Sequence, residues 1–267
     1  MHKRLETNRT NWNERTAVHA ASDFYDVTGF KAGSITLKNI EREEVGPVSG
    51  KSLLHLQCHF GLDTMSWARL GARATGVDFS DDAIELARAL DAEIGTDARF
   101  ICSNVYDLPN VLAEEFDIVF TSYGVLCWLP DLDRWADVAF RYLKPGGIFY
   151  IVEFHPVMQT LESTASGEAR PFYSYFRQEL FFAGNEPSYA GEGTIASPQY
   201  EWQHSLGEIV TALTEARLKI EFLHEFPYCY YQALPTMVRG ADGWWRFPEK
   251  NDSIPQMFSI RASKPQR

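Results

Sequence analysis

The chain has 267 residues, 45% of them hydrophobic and 23% charged, and its formal net charge is −11. This suits one enlarged α/β domain, or one domain with a cap, with ample material for a core. The negative field repels a polyanionic backbone, and the basic stretches at Lys3-Arg4 and 264–267 are thin, so no nucleic acid partner is expected.

No run approaches ~18 apolar residues, so no membrane span is expected, and residues 1–6 lack the apolar stretch of a secretion leader. Cys58, Cys102, Cys127 and Cys229 show neither CxxC nor metal-ligand spacing. They read as reduced thiols of a cytoplasmic protein, with no metal site.

In chain order, residues 8–25 read as a helix with Trp12, Val18 and Ala21 at helical separations, and 26–50 as irregular chain punctuated by glycines and Pro47. Residues 52–56 form a short apolar strand. The chain then turns near Gly61 and enters a helix over 62–70, which Gly71 closes. A second strand over 74–77 ends in Asp78, and Ser80 caps a helix whose first turn holds Asp81 and Asp82. A strand, a tight turn, a helix and a second strand tipped by a carboxylate make half of a nucleoside-binding fold.

Further strands are expected at 99–102, 116–120 and 148–152. A helix over 133–143 carries Trp135, Val138, Ala139 and Tyr142 on one face, and Lys144-Pro145-Gly146-Gly147 breaks it. This order implies a Rossmann-like, doubly wound, mostly parallel sheet with helices on both faces. Residues 156–203 interleave aromatics with glycine and proline and read as an inserted cap of short strands. A capping box at Ser205–Glu208 opens a last helix, and two late strands over 218–223 and 256–262 bring the sheet to seven. The expected organisation is a covering segment at 1–50, a core at 51–155, the cap at 156–203 and a closing helix with two strands at 204–267.

Five pieces in order give the chain a family resemblance. They are the strand-turn-helix at 52–64; Gly76-Val77-Asp78-Phe79-Ser80; Ser103-Asn104-Val105-Tyr106-Asp107-Leu108-Pro109; Phe116-Asp117-Ile118-Val119 leading to Trp128-Leu129-Pro130-Asp131; and Leu143-Lys144-Pro145-Gly146-Gly147. With these the chain resembles the class I S-adenosylmethionine-dependent methyltransferases of the small-molecule type, strongly over 50–155 and more loosely over 203–262. The resemblance implies S-adenosylmethionine as cofactor, S-adenosylhomocysteine as its product, a small-molecule acceptor, and a monomer or homodimer. The chain departs from the family at His55, where an acid is usual, and at Gln57 and His59, where glycines are usual. A strained or altered turn is therefore expected there.

The resemblance also implies roles. Asp78 accepts from the ribose hydroxyls, the competing reading being a surface carboxylate at a helix N-terminus; Phe79 packs on adenine or is a core aromatic; Asn104 and the Val105 N–H read the base edge. For Asn104 the competing reading is an asparagine that closes a turn. Gln57 and Gly61 offer main-chain groups to the methionine end, and Ser122 partners its ammonium. Asp63 either holds that ammonium or caps the helix, capping being the stronger reading. Tyr25 and His19 close over the cofactor or pack on the sheet edge. Tyr123 stands near the sulfonium, where its face makes a cation–π contact. Tyr123 and His155 are the catalytic candidates, His155 as a base or else a structural histidine. Trp128, His204 and Tyr173 are candidate acceptor-side residues. Two other readings are an NAD(P)-dependent oxidoreductase, for which Asp78 would also serve, and a non-catalytic S-adenosylmethionine-binding module. Less favoured is an enzyme using this cofactor for other chemistry.

Overall fold

The computed structural model describes residues 1–164, 166–248 and 254–266; Arg267 of the terminal basic stretch lies outside the described residues. Five strands, β1 (Ser52–Leu56), β2 (Arg73–Asp78), β3 (Arg99–Cys102), β4 (Phe116–Ser122) and β5 (Leu143–Phe154), join Lys219–Phe226 and Met257–Ser263 in one seven-stranded sheet. The order is 219–226, 257–263, β5, β4, β1, β2, β3. The contacts among β1 to β5 are parallel, and 257–263 runs antiparallel to both β5 and 219–226. The mostly parallel, doubly wound sheet expected from the sequence is thus observed. Its order reverses at β1, which lies between β2 and β4, and this opens a crevice at the carboxyl ends of the strands.

Local chemistry sets the helices. Helix α1 is His2–Ala20, longer at its start and shorter at its end than expected. Residues 26–50 are not irregular throughout: α2 (Val27–Lys31) is capped by the Asp26 side chain on the Gly29 N–H, and at the start of α3 (Asn39–Val45) the Glu41 carboxylate accepts from the Lys38 N–H. These helices were missed because they are short and lack a repeating apolar stripe. Helix α4 (Leu62–Arg69) follows the turn, and Gly71 closes it at φ 92°. The Ser80 side chain accepts from the Ala83 N–H and starts α5 (Asp81–Ile94).

Helix α6 (Leu132–Tyr142) buries the face expected of it, including Trp135, Val138, Ala139 and Tyr142. Trp135 is fully buried and meets Phe149 of β5 edge-on, with centroids 5.5 Å apart. Truncating such a side chain costs about 3–5 kcal/mol. The helix stops at Tyr142 and the Lys144-Pro145-Gly146-Gly147 run belongs to β5 itself, which begins at Leu143. Helix α7 (Pro156–Gln159) follows β5, and α8 (Leu206–Glu215) opens on the Ser205–Glu208 capping box.

The 156–203 segment pairs its short strands antiparallel: 161–163 with 169–171, 178–182 with 199–203, and 186–187 with 194–195. Side chains of α1 bind this segment to the core. Asn8 exchanges two hydrogen bonds of 2.8 Å with the Tyr200 backbone. Asn11 Nδ2 donates to Ser197 O at 2.9 Å, and the Glu14 carboxylate accepts from the Ala196 and Ser197 N–H groups. Among the described residues no helix is long and apolar enough to cross a membrane.

Candidate functional site

The crevice holds a cavity of about 660 Å³, within the range of small-molecule sites. Its floor is the turn after β1. Gln57 (φ 57°), His59 (φ 51°) and Gly61 (φ 80°) alternate in the left-handed region. The turn thus keeps a glycine-type course with two side chains in it, at a cost of about 1 kcal/mol or more per non-glycine position. Gly61 is required on separate grounds, because a Cβ there would lie 2.4 Å from the Phe100 ring.

Specific contacts hold this backbone in place. Gln57 Nε2 donates to Val125 O at 3.0 Å, the His59 N–H donates to Asp78 Oδ2 at 2.8 Å, and His59 Nε2 lies 3.0 Å from His19 Nδ1 of α1. Among the described residues Gln57 Oε1 and His55 Nε2 are buried without a hydrogen-bond partner, and both residues line the cavity. Such atoms await an occupant, because an unsatisfied buried polar group is costly. His55, which stands where an acid is usual, uses Nδ1 on Thr64 Oγ1 at 2.8 Å; burial lowers its pKa to about 4, so the ring is neutral.

Asp78 lies at the tip of β2, buried, in the cavity wall. Its oxygens accept from the His59 and Ser80 N–H groups at 2.8 and 2.9 Å. Burial raises its pKa to about 6 against the pull of these N–H groups. A carboxylate oxygen has a second lone pair, so Asp78 can still accept from a ligand. Phe79, Asn104 and Val105 line the same end. Asn104 Oδ1 accepts from the Tyr106 N–H at 3.0 Å and so closes its own turn, which leaves the amide nitrogen and one lone pair.

Beyond β1 the wall passes to the end of β4. Asp63 does not cap α4; the residue at that cap is Gly61, and it has no side-chain bond. The Asp63 carboxylate instead accepts from Thr36 Oγ1, and from Ser122 Oγ at 3.3 Å. The capping reading fails because Thr36, on a segment read as featureless, is nearer. Tyr123 (φ 44°) donates its hydroxyl to Glu41 Oε2 at 2.9 Å. Glu41 is buried, and burial together with the nearby Asp63 raises its pKa to about 7. Behind the loop, Glu153 accepts from the N–H groups of Gly124, Val125, Leu126 and Phe154. It fixes the 124–126 backbone that Gln57 grips.

The cavity also gathers Tyr25, Gln57, Gly61, Ser122, Tyr123 and Trp128 of the expected residues. Four candidates are not in its wall, among them His19, which meets His59 instead. His155 caps α7 through Nδ1, which accepts from the Val157 N–H at 3.1 Å, and its Nε2 lies 2.9 Å from Glu225 Oε1; its ring turns away from the crevice. His204 Nε2 donates to Leu129 O at 2.7 Å, which ties the residue ahead of α8 to the loop that carries Trp128. Tyr173 packs edge-on against Phe172 and its N–H donates to Thr160 O. Trp12, Thr36, Lys38, Tyr230, Tyr231 and Trp245 line the cavity unforeseen. The dense aromatic run 226–231 was a visible pointer to the tyrosines; nothing in the sequence marked Lys38 or Thr36.

Comparison with known proteins agrees with this geometry. Residues 54–151 match the model of a methyltransferase domain family. Over 136 residues the chain is 31% identical to the ubiquinone biosynthesis O-methyltransferase of Idiomarina loihiensis, covering 49% of this chain and 55% of that one. The chain therefore spans about half the length of the curated relatives it matches. An S-adenosylmethionine-dependent methyltransferase from Mesorhizobium loti superposes with a TM-score of 0.60 at 19% identity, covering 84% of this chain and 95% of that one. The glycopeptide N-methyltransferase MtfA does so with a TM-score of 0.56 at 16% identity, covering 91% and 93%; these two show the fold. Residues 54–151 are thus similar to a methyltransferase domain, set in a fold shared with S-adenosylmethionine-dependent methyltransferases.

Proposed function

We propose that the chain is an S-adenosylmethionine-dependent methyltransferase that acts on a small-molecule acceptor in the cytoplasm. The observation that carries this reading is Asp78: a buried carboxylate at the tip of β2, held by two backbone N–H groups, in the wall of a cavity of about 660 Å³. The unpartnered Gln57 Oε1 and His55 Nε2 support the fit, as buried polar atoms facing the tail end of the site. The four free cysteines support the reducing compartment.

In this reading Asp78 holds the ribose hydroxyls, and Phe79, Asn104 and Val105 hold the base. Gln57, Gly61, Asp63 and Ser122 hold the amino acid tail, and Tyr25 covers the nucleoside. Bound there, S-adenosylmethionine supplies a methyl group already activated by its sulfonium. The chain's own work is alignment and exclusion of water. Helix α1, tied to residues 196–200, closes the crevice from above. Trp128 walls the acceptor side. Tyr123 Oη, hydrogen-bonded to Glu41 Oε2, can pass a proton released by the acceptor to a carboxyl whose pKa of about 7 suits it for receipt at neutral pH. This pair takes the base role expected of His155.

Calorimetry with S-adenosylhomocysteine and with NAD tests the reading. Binding of the first without the second is expected. Binding of NAD alone would replace it by the oxidoreductase reading.

A further inference from the structure

We propose that the end of the cavity beyond Ser122 receives a planar aromatic acid, its ring against Tyr231 and Trp245 and its carboxylate on Lys38 and Arg239. This names a substrate class for the methyltransferase reading and rests on it.

The two ends of the cavity differ in chemistry. The lining residues run from the loop after β3 to the loop after β4, with β2 and β1 between. Three strand spacings make about 14 Å, so one end is well separated from the other. At the β2–β3 end the polar groups are Asp78 and Asn104. The other end is framed by the segment ahead of α3, by Tyr123, and by residues 230–245. Here the wall is aromatic: Tyr230 lies 4.6 Å from Tyr123 and 5.3 Å from Tyr231, centroid to centroid, and Trp245 joins them. Flat walls of this kind favour a flat ligand.

Charge decides which flat ligand. In a chain of net charge −11, this end presents two cations. Arg239 Nε donates to Gly243 O at 3.2 Å, and Lys38 Nζ sits over the Tyr230 ring, 5.7 Å from its centroid. Neither forms an ion pair with an acid among the described residues. An aromatic wall can also attract a cationic ligand, but Lys38 already occupies the face of Tyr230. Of the three carboxylates in the cavity wall, Asp63 is engaged by Thr36 and Ser122 and Asp78 by two backbone N–H groups, and Asp23 is exposed to solvent. An amine would meet two like charges, whereas a carboxylate would meet two donors in search of an acceptor.

The test titrates the full chain, with and without saturating S-adenosylhomocysteine, against 4-hydroxybenzoate, phenol and tyramine, following tryptophan fluorescence. 4-Hydroxybenzoate should bind at least about tenfold more tightly than phenol or tyramine, one charge-assisted contact being worth about that factor. Lys38→Met and Arg239→Met should each remove most of that preference while leaving phenol binding in place. Equal or tighter binding of tyramine or phenol, or no binding of 4-hydroxybenzoate at millimolar levels, would overturn the proposal. So would loss of S-adenosylhomocysteine binding in Lys38→Met, which would assign Lys38 to the cofactor tail. Failure of the methyltransferase reading is seen separately, as absence of S-adenosylhomocysteine binding by the unaltered chain.

Discussion

His19 Nδ1 lies 3.0 Å from His59 Nε2, joining the first helix to the turn after β1 through two imidazoles. Burial lowers the pKa of both, that of His19 to about 3, with Arg15 adding to the effect. Both rings are therefore neutral at physiological pH, and one donates to the other. Trp12, Tyr25 and Phe60 surround His59, with centroids 5.0, 5.5 and 4.3 Å away. The strained residue in the turn is thus also the anchor of α1.

Two substitutions separate these roles. His59→Gly and His59→Ala both lose the bond and the ring packing, but glycine tolerates φ 51°. Glycine should therefore be the more stable of the two by about 1 kcal/mol, the reverse of the order in a helix interior. Denaturant unfolding of both variants measures it. His19→Ala should speed amide exchange in α1 while sparing the β1–β2 pairing.

The pH dependence of ligand binding follows from Asp78. Its native pKa of about 6 lies above the ordinary 3.8 because burial disfavours the charge. The ionised form is the one that accepts from two hydroxyls. S-adenosylhomocysteine affinity should therefore be flat above pH 7 and fall by about tenfold per pH unit well below 6. Asp78→Asn should bind weakly and lose that slope. Calorimetry between pH 5 and 8 measures both.

Glu41 carries the opposite consequence for stability. Its native pKa of about 7 exceeds the ordinary 4.5, so the native state binds the proton more tightly than the unfolded one. Its contribution is complete below pH 4.5 and is lost as pH rises through about 7. Glu41→Gln should flatten this part of the stability profile, by about 3 kcal/mol. Unfolding midpoints from pH 4.5 to 8, compared between the two proteins, provide the check.

Glu153 is a structural acid under the site. Its carboxylate takes four backbone N–H groups, three of them in the 124–126 loop. Glu153→Ala leaves those donors buried and should cost about 3 kcal/mol or more. It should also weaken S-adenosylhomocysteine binding, because Val125 O holds Gln57. A variant as stable as the parent would remove Glu153 from this role.

What the sequence revealed and what it hid have physical causes. The turn at 57–61, Asp78 and the caps at Ser80 and Ser205 were legible because strand ends, turns and caps are set by neighbours within a few residues. The seven strands followed from alternation of apolar runs. Glu41 was invisible, since its burial depends on Tyr123, 82 residues away. Lys38, Tyr230 and Tyr231 sit on segments without periodicity and reach the site only through tertiary packing. His155 misled because the end of β5 was foreseen, but not the turn of its ring onto Val157 and Glu225.

The central claim is that the β2-tip carboxylate grips a nucleoside sugar. A crystal structure of the chain soaked with S-adenosylhomocysteine measures this directly. The account predicts both ribose hydroxyls within hydrogen-bond distance of the Asp78 oxygens and the amino acid tail against Gln57 and Asp63. A ligand lodged elsewhere, or a sugar with no contact to Asp78, would contradict it.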